Sequence, residues 1–265
     1  MRWLDGIPLA GPLDRGLEFG DGLFETIALV GGRARLLERH LARLAGGARR
    51  LSITPPPAGV LAAELARAAA TPGAGLVKVI LTRGDGGLGY APAAGEAHRH
   101  LLALTARPRP PAWREEGVLA RLCTTRLAEQ PLLAGLKHLN RLEQVLARGE
   151  WTDPAIAEGL MLDVQGRLIC GTMTNVFMVL GEELVTPALN RAGVLGVMRG
   201  ALIEAFRAEG VRVTERDVDP AELALAREVF LTNALIGAWP VRGLATLAWP
   251  AGPFARRAQA WVGAW

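Results

Sequence analysis

The run RPRPP, residues 107–111, is the feature that most constrains the fold of this 265-residue chain. Proline has a fixed φ and no backbone N–H, so this run is stiff and cannot pair within a β-sheet. We therefore predict a linker over residues 107–113. An α/β domain over residues 1–106 would precede it, and a second domain over residues 114–265 would follow, each long enough to bury a core of its own.

The first domain is expected to combine strands with amphipathic helices. The segment LFETIALV, residues 23–30, predicts a strand that ends at a turn formed by Gly31 and Gly32. Apolar residues at helical spacing between Leu36 and Leu51 predict a helix, which three prolines end, and VLAAELARAAA predicts a second one. Two more strands, GLVKVILTRG and HRHLLALTA, are joined by the glycine-rich segment GDGGLGYAPAAGEA.

The second domain is expected to alternate strands and helices. The predicted strands are EGVLARLCTT, NVFMVLG, ELVTP and VRVTERDV, with a hairpin around Gln165 and Gly166. The predicted helices are LKHLNRLEQVLAR and MRGALIEAFRAEG, and EVFLTNALIGAWPV is expected to complete the core. This pattern predicts an α+β or α/β protein of two domains, and a cleft between two domains is a common place for a cofactor.

The composition argues against several classes of function. A net charge of +4 would suit a nucleic-acid-binding protein, but the arginines are spread along the chain among Glu and Asp, and aromatic residues make up only 5%. No apolar run approaches the roughly 20 residues of a membrane helix, and the first residues lack the apolar middle of a signal peptide. We therefore expect a cytoplasmic protein. The two cysteines and four histidines suggest neither a disulfide framework nor a metal site.

Lysine is rare in this chain, since only Lys78 and Lys137 occur among its 30 basic side chains. A lysine amine can lose its proton and form an imine, whereas arginine in practice cannot. Lys137 follows the apolar run PLLAGL, which would desolvate the amine and lower its pKa. Alternation within GLVKVILT places Lys78 on an exposed strand face. Lys137 is therefore the preferred reactive amine, with a solvated lysine near a helix start as the ordinary alternative.

A candidate anion site lies further along the chain. Gly193 and Gly196 flank a turn just before the helix predicted to begin near Val197. Unpaired N–H groups and the helix dipole favour an anion at such a start, although a plain glycine turn before a packing helix fits the pattern equally well. Arg43, on the first amphipathic helix, could add a two-pronged phosphate contact. Taken alone, it is a typical surface arginine.

Six segments of the chain together resemble a known family. They are FGDGLFETI, ERHLARL, LTRGDGGLGY, GLKHLNRLEQVLAR, AGVLGVMRG and FLTNALIGAWPV. In this order they look like the aminodeoxychorismate lyases, which belong to the fold-type IV pyridoxal-phosphate enzymes together with the branched-chain and D-amino-acid aminotransferases. The resemblance implies a homodimer with the cofactor in a cleft between a smaller N-terminal α/β domain and a larger C-terminal domain. It also implies conversion of 4-amino-4-deoxychorismate to 4-aminobenzoate and pyruvate, in folate synthesis.

The resemblance also implies roles for single residues. Lys137 matches the lysine that binds pyridoxal 5′-phosphate as an imine, and Arg43 matches the phosphate-binding arginine. Met198 stands where the aminotransferases often have a threonine, so only its amide would reach the phosphate. Cys170 stands where they have the glutamate that pairs with the pyridine nitrogen, which weakens the expected protonation of that nitrogen. The other expected cofactor-binding residues are Gly196, Val197, Asn175, Asn233 and Ala234.

The substrate implied by the resemblance carries two carboxylates, which need cationic or hydroxyl partners. Arg83, Tyr90 and Arg99 lie on or beside the glycine-rich segment and are the candidates, although both arginines could equally be surface ends of strands. One alternative function is an aminotransferase for D- or branched-chain amino acids, which would need an added keto acid. The other is a catalytically idle protein that binds nucleic acid in a salt-dependent manner.

Overall fold

The computed structural model describes residues 2–4, 7–9, 13–92 and 97–264. The chain divides into two compact units. The first consists of residues 1–106 together with Lys137–Asn140, and the second of residues 107–136 and 141–265. The proline-rich run lies in the second unit, and its last proline is the first residue of a short helix.

The first unit contains a four-stranded antiparallel sheet in the order β4-β3-β5-β6. The predicted strands and the two predicted helices are present. One face of the sheet is buried by Leu23, Ile27 and Val79, and α2 turns His40 and Leu44 inward. The elements are β1 (Arg2–Leu4), β2 (Ile7–Leu9), α1 (Arg15–Phe19), β3 (Gly22–Val30), β4 (Arg33–Ala34), α2 (Leu37–Arg50), α3 (Ala58–Ala69), β5 (Leu76–Thr82) and β6 (His98–Leu104).

The second unit is built on a nine-stranded mixed sheet, in the order β12-β11-β10-β13-β14-β7-β8-β9, with β15 paired to β14. Its elements are α4 (Pro111–Glu115), β7 (Val118–Leu127), α5 (Leu142–Arg148), β8 (Ile156–Asp163), β9 (Leu168–Gly171), β10 (Asn175–Leu180), β11 (Glu183–Pro187), α6 (Val197–Ala208), β12 (Val213–Arg216), a 3-10 helix (Pro220–Leu225), β13 (Glu228–Asn233), β14 (Gly237–Leu244), β15 (Leu247–Ala248) and α7 (Pro253–Ala264).

The core of the second unit lies on both faces of the central strands. On one face Val176, Met178 and Leu231 are fully buried, and on the other the rings of Phe177 and Phe230 stack with centroids 5.0 Å apart. Strands covered on both faces carry apolar residues without alternation, as in the predicted strand NVFMVLG, which forms β10. The predicted hairpin around Gln165 and Gly166 joins β8 to β9, and these two strands pair antiparallel.

One predicted helix is shorter than the sequence suggested. Of LKHLNRLEQVLAR only Leu142–Arg148 is helical, because the preceding residues pair with β3 instead. His138 forms an antiparallel bridge with Leu23, the amide of Phe24 donates to the carbonyl oxygen of Lys137 (2.9 Å), and Leu139 N donates to Gly22 O (3.0 Å). On this edge of β3, β4 pairs only with Leu29 and Val30, so the beginning of the strand is available for pairing with Lys137–Leu139.

Two further features of the fold were not expected. The helix α7 was not predicted, and it begins where the Glu228 carboxylate accepts hydrogen bonds from the amides of Phe254 and Ala255. The apolar side of α5 is open to solvent, since Leu142, Val145 and Leu146 are 76%, 61% and 65% exposed. Among the described helices, none has both the length and the apolar character needed to span a membrane.

Candidate active site

Lys137 lies on the sheet of the first unit, at the strand that carries Phe24. Its Nζ lies 4.1 Å from the centroid of the Phe24 ring. Its backbone is fixed as well, because its carbonyl oxygen accepts a hydrogen bond from the amide of Phe24. The side chain is half-buried, in an aromatic environment rather than in open solvent. Strand pairing therefore fixes the backbone of Lys137 against β3.

The sequence predicted that Lys78 lies on an exposed strand face. It lies on β5 opposite Thr26 of β3, and it is half-buried. Its Nζ is 5.3 Å from the centroid of the Phe24 ring, so both lysines of the chain contact one aromatic side chain. Within the described part of the chain, Lys78 forms no ion pair. Lys78 shares a sheet face with Phe24 because of the register in which β3 and β5 pair, which no local sequence pattern reports.

Arg43 is held by a buried carboxylate. Its Nε donates to Oε1 of Glu25 (2.8 Å) and its Nη2 to Oε2 (2.5 Å), while His40 Nδ1 lies 2.6 Å from the same Oε2. Glu25 is 1% exposed. Burial acts to raise the pKa of Glu25, but the hydrogen bonds from His40 and Arg43 outweigh it, and the pKa is lowered. Sequence reasoning singled out Arg43 but missed Glu25, a lone carboxylate on the inward face of an apolar strand.

The start of α6 brings together several of the predicted cofactor residues. Gly196 is the N-cap in an extended conformation, and no side chain caps the amides of the first turn. Asn175 Nδ2 donates to Val194 O (3.0 Å), and a Cβ at Gly196 would lie 2.1 Å from Asn175 Oδ1, so only glycine fits here. Val197 and Met198 follow as the first helical residues. Uncapped amides at a helix start suit a phosphate dianion.

Asn233 organises a second turn in the same unit. Its Oδ1 accepts from the amides of Leu235 (2.8 Å) and Ile236 (2.9 Å), which shapes the turn containing Ala234 between β13 and β14. Its Nδ2 donates to the carbonyl oxygen of Met173 (3.2 Å). The turn that precedes Asn175 is therefore tied to the turn that contains Ala234.

Cys170 is buried at the end of β9, five residues before Asn175. Burial, followed by the negative charge of Glu158, raises the pKa of its thiol to about 12. The side chain is therefore a neutral thiol at physiological pH. It cannot act as the charged partner that a carboxylate would provide at this position.

The three candidate substrate residues have different surroundings. Arg83 donates to both oxygens of Asp21 and to the carbonyl oxygens of Leu51 and Ser52, so it fixes the end of α2. Arg99 forms a two-pronged ion pair with Glu64 on the surface. These contacts favour the interpretation that both arginines stabilise the fold and do not bind the substrate.

Tyr90 lies on the glycine-rich loop and is 86% exposed, with its ring edge-on to Phe19 (5.3 Å between centroids). The loop is anchored by Arg15, which is 4% exposed and donates to the carbonyl oxygens of Gly86, Gly89 and Tyr90. Tyr90 is therefore held near a fixed backbone, and its phenol faces outward from the first unit.

Comparison with known proteins identifies the family. The model of the amino-transferase class IV family matches residues 22–244. An aminodeoxychorismate lyase of Vibrio harveyi is 37% identical over 98% of both chains, and a putative branched-chain-amino-acid aminotransferase of Methanocaldococcus jannaschii is 30% identical over 86% of this chain and 80% of its own. The crystal structure of a 4-amino-4-deoxychorismate lyase from Pseudomonas aeruginosa is 52% identical, covers 98% of this chain and 97% of its own, and superimposes with a TM-score of 0.91. The chain belongs to the class IV aminotransferase family and has the fold-type IV architecture.

Proposed function

We propose that this protein is a pyridoxal-phosphate-dependent lyase that converts 4-amino-4-deoxychorismate to 4-aminobenzoate and pyruvate, a step of folate biosynthesis. The observation that carries the proposal is its 52% identity, over nearly the whole chain, to a lyase of that name. The full-length likeness to the Vibrio harveyi lyase supports it independently. The protein would act on a small molecule, and nothing in its charge distribution favours nucleic acid.

The cofactor is pyridoxal 5′-phosphate, which supplies an electron sink when bound, while the protein supplies placement and charge. The amides at Gly196, Val197 and Met198 would hold the phosphate, with Arg43 as its cationic partner. Glu25 would orient Arg43 for this role, because its carboxylate accepts from Nε and Nη2 and so fixes the guanidinium in place. The turn at Asn233 and Ala234 would form the second phosphate contact, and Cys170 and Asn175 would lie beside the ring.

Lys137 performs the proton transfers in this proposal. Its amine would hold the cofactor in the resting protein and would be available as a base once the substrate is bound. The free amine of Lys137 then removes the proton from the amine-bearing ring carbon. As the ring C–O bond breaks, Lys137 delivers a proton to the methylene carbon of the departing enolpyruvyl group. The products are pyruvate and an aromatic ring, so every atom of the substrate is accounted for.

Lys78 is the strongest candidate partner for a substrate carboxylate. Its ammonium lies over the same ring as that of Lys137, and no carboxylate of the described residues neutralises it. Arg83 and Arg99 rank below it because Asp21 and Glu64 occupy their guanidinium groups. Tyr90 remains a candidate because its phenol is exposed on an anchored loop.

An aminotransferase for D- or branched-chain amino acids is the alternative, supported by the 30% identical relative. The neutral thiol of Cys170 argues against it, because transamination depends more heavily on a protonated pyridine nitrogen. The deciding experiment is incubation of the purified protein with 4-amino-4-deoxychorismate and no keto acid. We expect equal amounts of 4-aminobenzoate and pyruvate. Turnover that requires a keto acid would instead establish an aminotransferase.

We further propose a cytoplasmic homodimer. Leu142, Val145 and Leu146 form one exposed apolar face on α5, at the i, i+3, i+4 spacing of a packed helix side. Leu132, which is 79% exposed, adds to the exposed apolar surface of the second unit. A second copy of the chain is the occupant that the family resemblance favours for this face.

A further inference from the structure

The carboxylate of Glu158 is enclosed within the second unit. Glu158 lies on β8, in the sequence IAEGLMLD, and has no exposed surface. A carboxylate is rarely buried in this way unless several hydrogen bonds or a cation compensate for its lost hydration. The five hydrogen bonds that Glu158 accepts supply part of that compensation, although burial outweighs them and raises the pKa of its carboxyl group.

Four of these five hydrogen bonds come from one short turn. Oε1 accepts from the amide of Thr172 (3.1 Å) and from its hydroxyl, and Oε2 accepts from the amide of Met173 (3.2 Å) and the hydroxyl of Thr174 (2.9 Å). The fifth donor is the amide of Gly159 (2.9 Å). The turn that joins β9 to β10 is therefore wrapped around a single carboxylate.

The turn leaves no room for variation at its first residue. A Cβ at Gly171 would lie 2.8 Å from Glu158 Oε2 and 2.1 Å from Thr174 Oγ1, both closer than side chains approach one another. The amide of Gly171 also donates to the carbonyl oxygen of Thr174 (2.8 Å). Glu158 and this turn thus form one tightly fitted unit, which we call the Glu158 clamp (Glu158 with Gly171–Thr174).

The clamp lies between residues that the proposed function assigns to the cofactor. Cys170 immediately precedes it and Asn175 immediately follows it, so its conformation sets the direction of both side chains. The carbonyl oxygen of Met173 accepts from Asn233 Nδ2, which links the clamp to the second phosphate turn. Asn175 in turn contacts Val194 and Gly196 at the start of α6.

We infer that Glu158 is a positioning residue for the cofactor site, and that its carboxylate fixes Cys170, Asn175 and the Asn233 turn before the cofactor binds. It is not a catalytic residue, because its oxygens are enclosed by the clamp and reach no substrate. The inference rests on the proposed function for its ligand. The charge of Glu158 would then affect cofactor binding only indirectly, by holding the turn Gly171–Thr174 in its conformation.

The substitution Glu158→Gln tests this role with little change in volume. An amide has one acceptor oxygen, and its NH₂ group would face an N–H donor that cannot turn away, either Thr172 N or Met173 N. We expect the dissociation constant for pyridoxal 5′-phosphate, measured by equilibrium dialysis, to rise at least about tenfold, because binding would have to restore a turn destabilised by the loss of a hydrogen bond to a buried charge.

Glu228→Gln is the matched control. Glu228 is also buried in the second unit, burial raises its pKa as it raises that of Glu158, and it accepts from the amides of Phe254 and Ala255. We expect a similar fall in the melting temperature of both cofactor-free variants, with an unchanged dissociation constant for Glu228→Gln. An unchanged constant for Glu158→Gln, or an equal rise in both variants, would overturn the inference.

A second measurement works without the cofactor. In the cofactor-free protein, hydrogen exchange at the amides of Thr172 and Met173 should accelerate in Glu158→Gln and stay slow in Glu228→Gln. If Glu158→Gln does not fold, Thr172→Val and Thr174→Val each remove one hydroxyl donor and should weaken cofactor binding by smaller factors. A wild-type protein that binds no pyridoxal phosphate would refute the proposed function, while unchanged exchange in Glu158→Gln would refute the clamp itself.

Discussion

The side-chain nitrogens of Lys78 and Lys137 lie over the ring of one residue, Phe24, at 5.3 and 4.1 Å from its centroid. Both amines are therefore candidates for covalent attachment of the cofactor. Our assignment gives the covalent role to Lys137. Reduction of the holoenzyme with borohydride should fix the cofactor to the peptide that contains Lys137, as read by mass spectrometry. Lys137→Ala should lower turnover at least about a hundredfold.

Lys78→Ala provides the control for this assignment. If Lys78 holds a substrate carboxylate, this variant should keep the reduced label on Lys137 and raise KM for the substrate more than it lowers kcat. Label found on Lys78 in the wild type, or full activity of Lys137→Ala, would contradict the assignment of cofactor attachment to Lys137.

Arg43 should control cofactor retention more than chemistry. Arg43→Ala removes the cation proposed to face the phosphate, so we expect the dissociation constant for pyridoxal 5′-phosphate to rise about tenfold or more. Turnover at saturating cofactor should fall much less. Arg99→Ala removes an arginine whose partner is the surface residue Glu64, and it should leave the dissociation constant unchanged. Equal cofactor affinity in wild type and Arg43→Ala would remove Arg43 from the site.

Sequence patterns predicted much of the fold because strand alternation and helix periodicity are local. They failed at residues 136–141, where pairing with β3 competes with helix formation. That pairing joins His138 to Leu23, more than a hundred positions away, and no local pattern reports it. The resemblance supplied Arg43 and Asn175 but not the carboxylates that support them. Glu25 and Glu158 are single carboxylates in apolar strands, and their partners are identified only once the strands and turns are assembled.

The acid stability of the first unit should depend on Glu25. Its pKa is lowered below the ordinary value of 4.5, so its ion pair stabilises the fold fully above that pH. This stabilisation is lost as the pH falls from 4.5 through the pKa of the folded state. In urea unfolding between pH 7 and pH 3, Glu25→Gln should therefore flatten the acid limb of the wild-type curve. Glu64→Gln should change it less, because the pair of Glu64 with Arg99 is on the surface.

The exposed face of α5 should control the oligomeric state. Val145→Asp places a charge among Leu142 and Leu146, and burying that charge between two copies of the chain would be costly. Sedimentation should find a dimer for the wild type and a monomer for this variant at micromolar concentration. Leu225→Asp changes another exposed leucine, on the 3-10 helix, and should remain dimeric. A wild-type monomer, or a dimeric Val145→Asp, would contradict the assignment of this face.

Cys170 places a thiol where the family resemblance implies a carboxylate beside the pyridine nitrogen. Burial raises the pKa of this thiol to about 12, so it remains neutral throughout the physiological range. A neutral partner leaves the pyridine nitrogen less protonated and the cofactor a weaker electron sink. The lyase reaction tolerates this because it expels pyruvate and gains an aromatic ring, whereas transamination must store and return an electron pair. Cys170→Ala should therefore retain most of the lyase activity.

Cys170→Glu should shift the balance of the two reactions. The new carboxylate would lie near the charge of Glu158, so we expect the cofactor-free variant to melt at lower temperature than the wild type. In the holoenzyme a protonated pyridine nitrogen would offset the repulsion between the two carboxylates, and it would make the cofactor a stronger electron sink. Transamination with an added keto acid should then rise relative to lyase turnover. Cys123→Ala, at the other buried cysteine, should leave this ratio unchanged. A Cys170→Ala enzyme that binds the cofactor normally yet is inactive would give the thiol itself a part in the reaction.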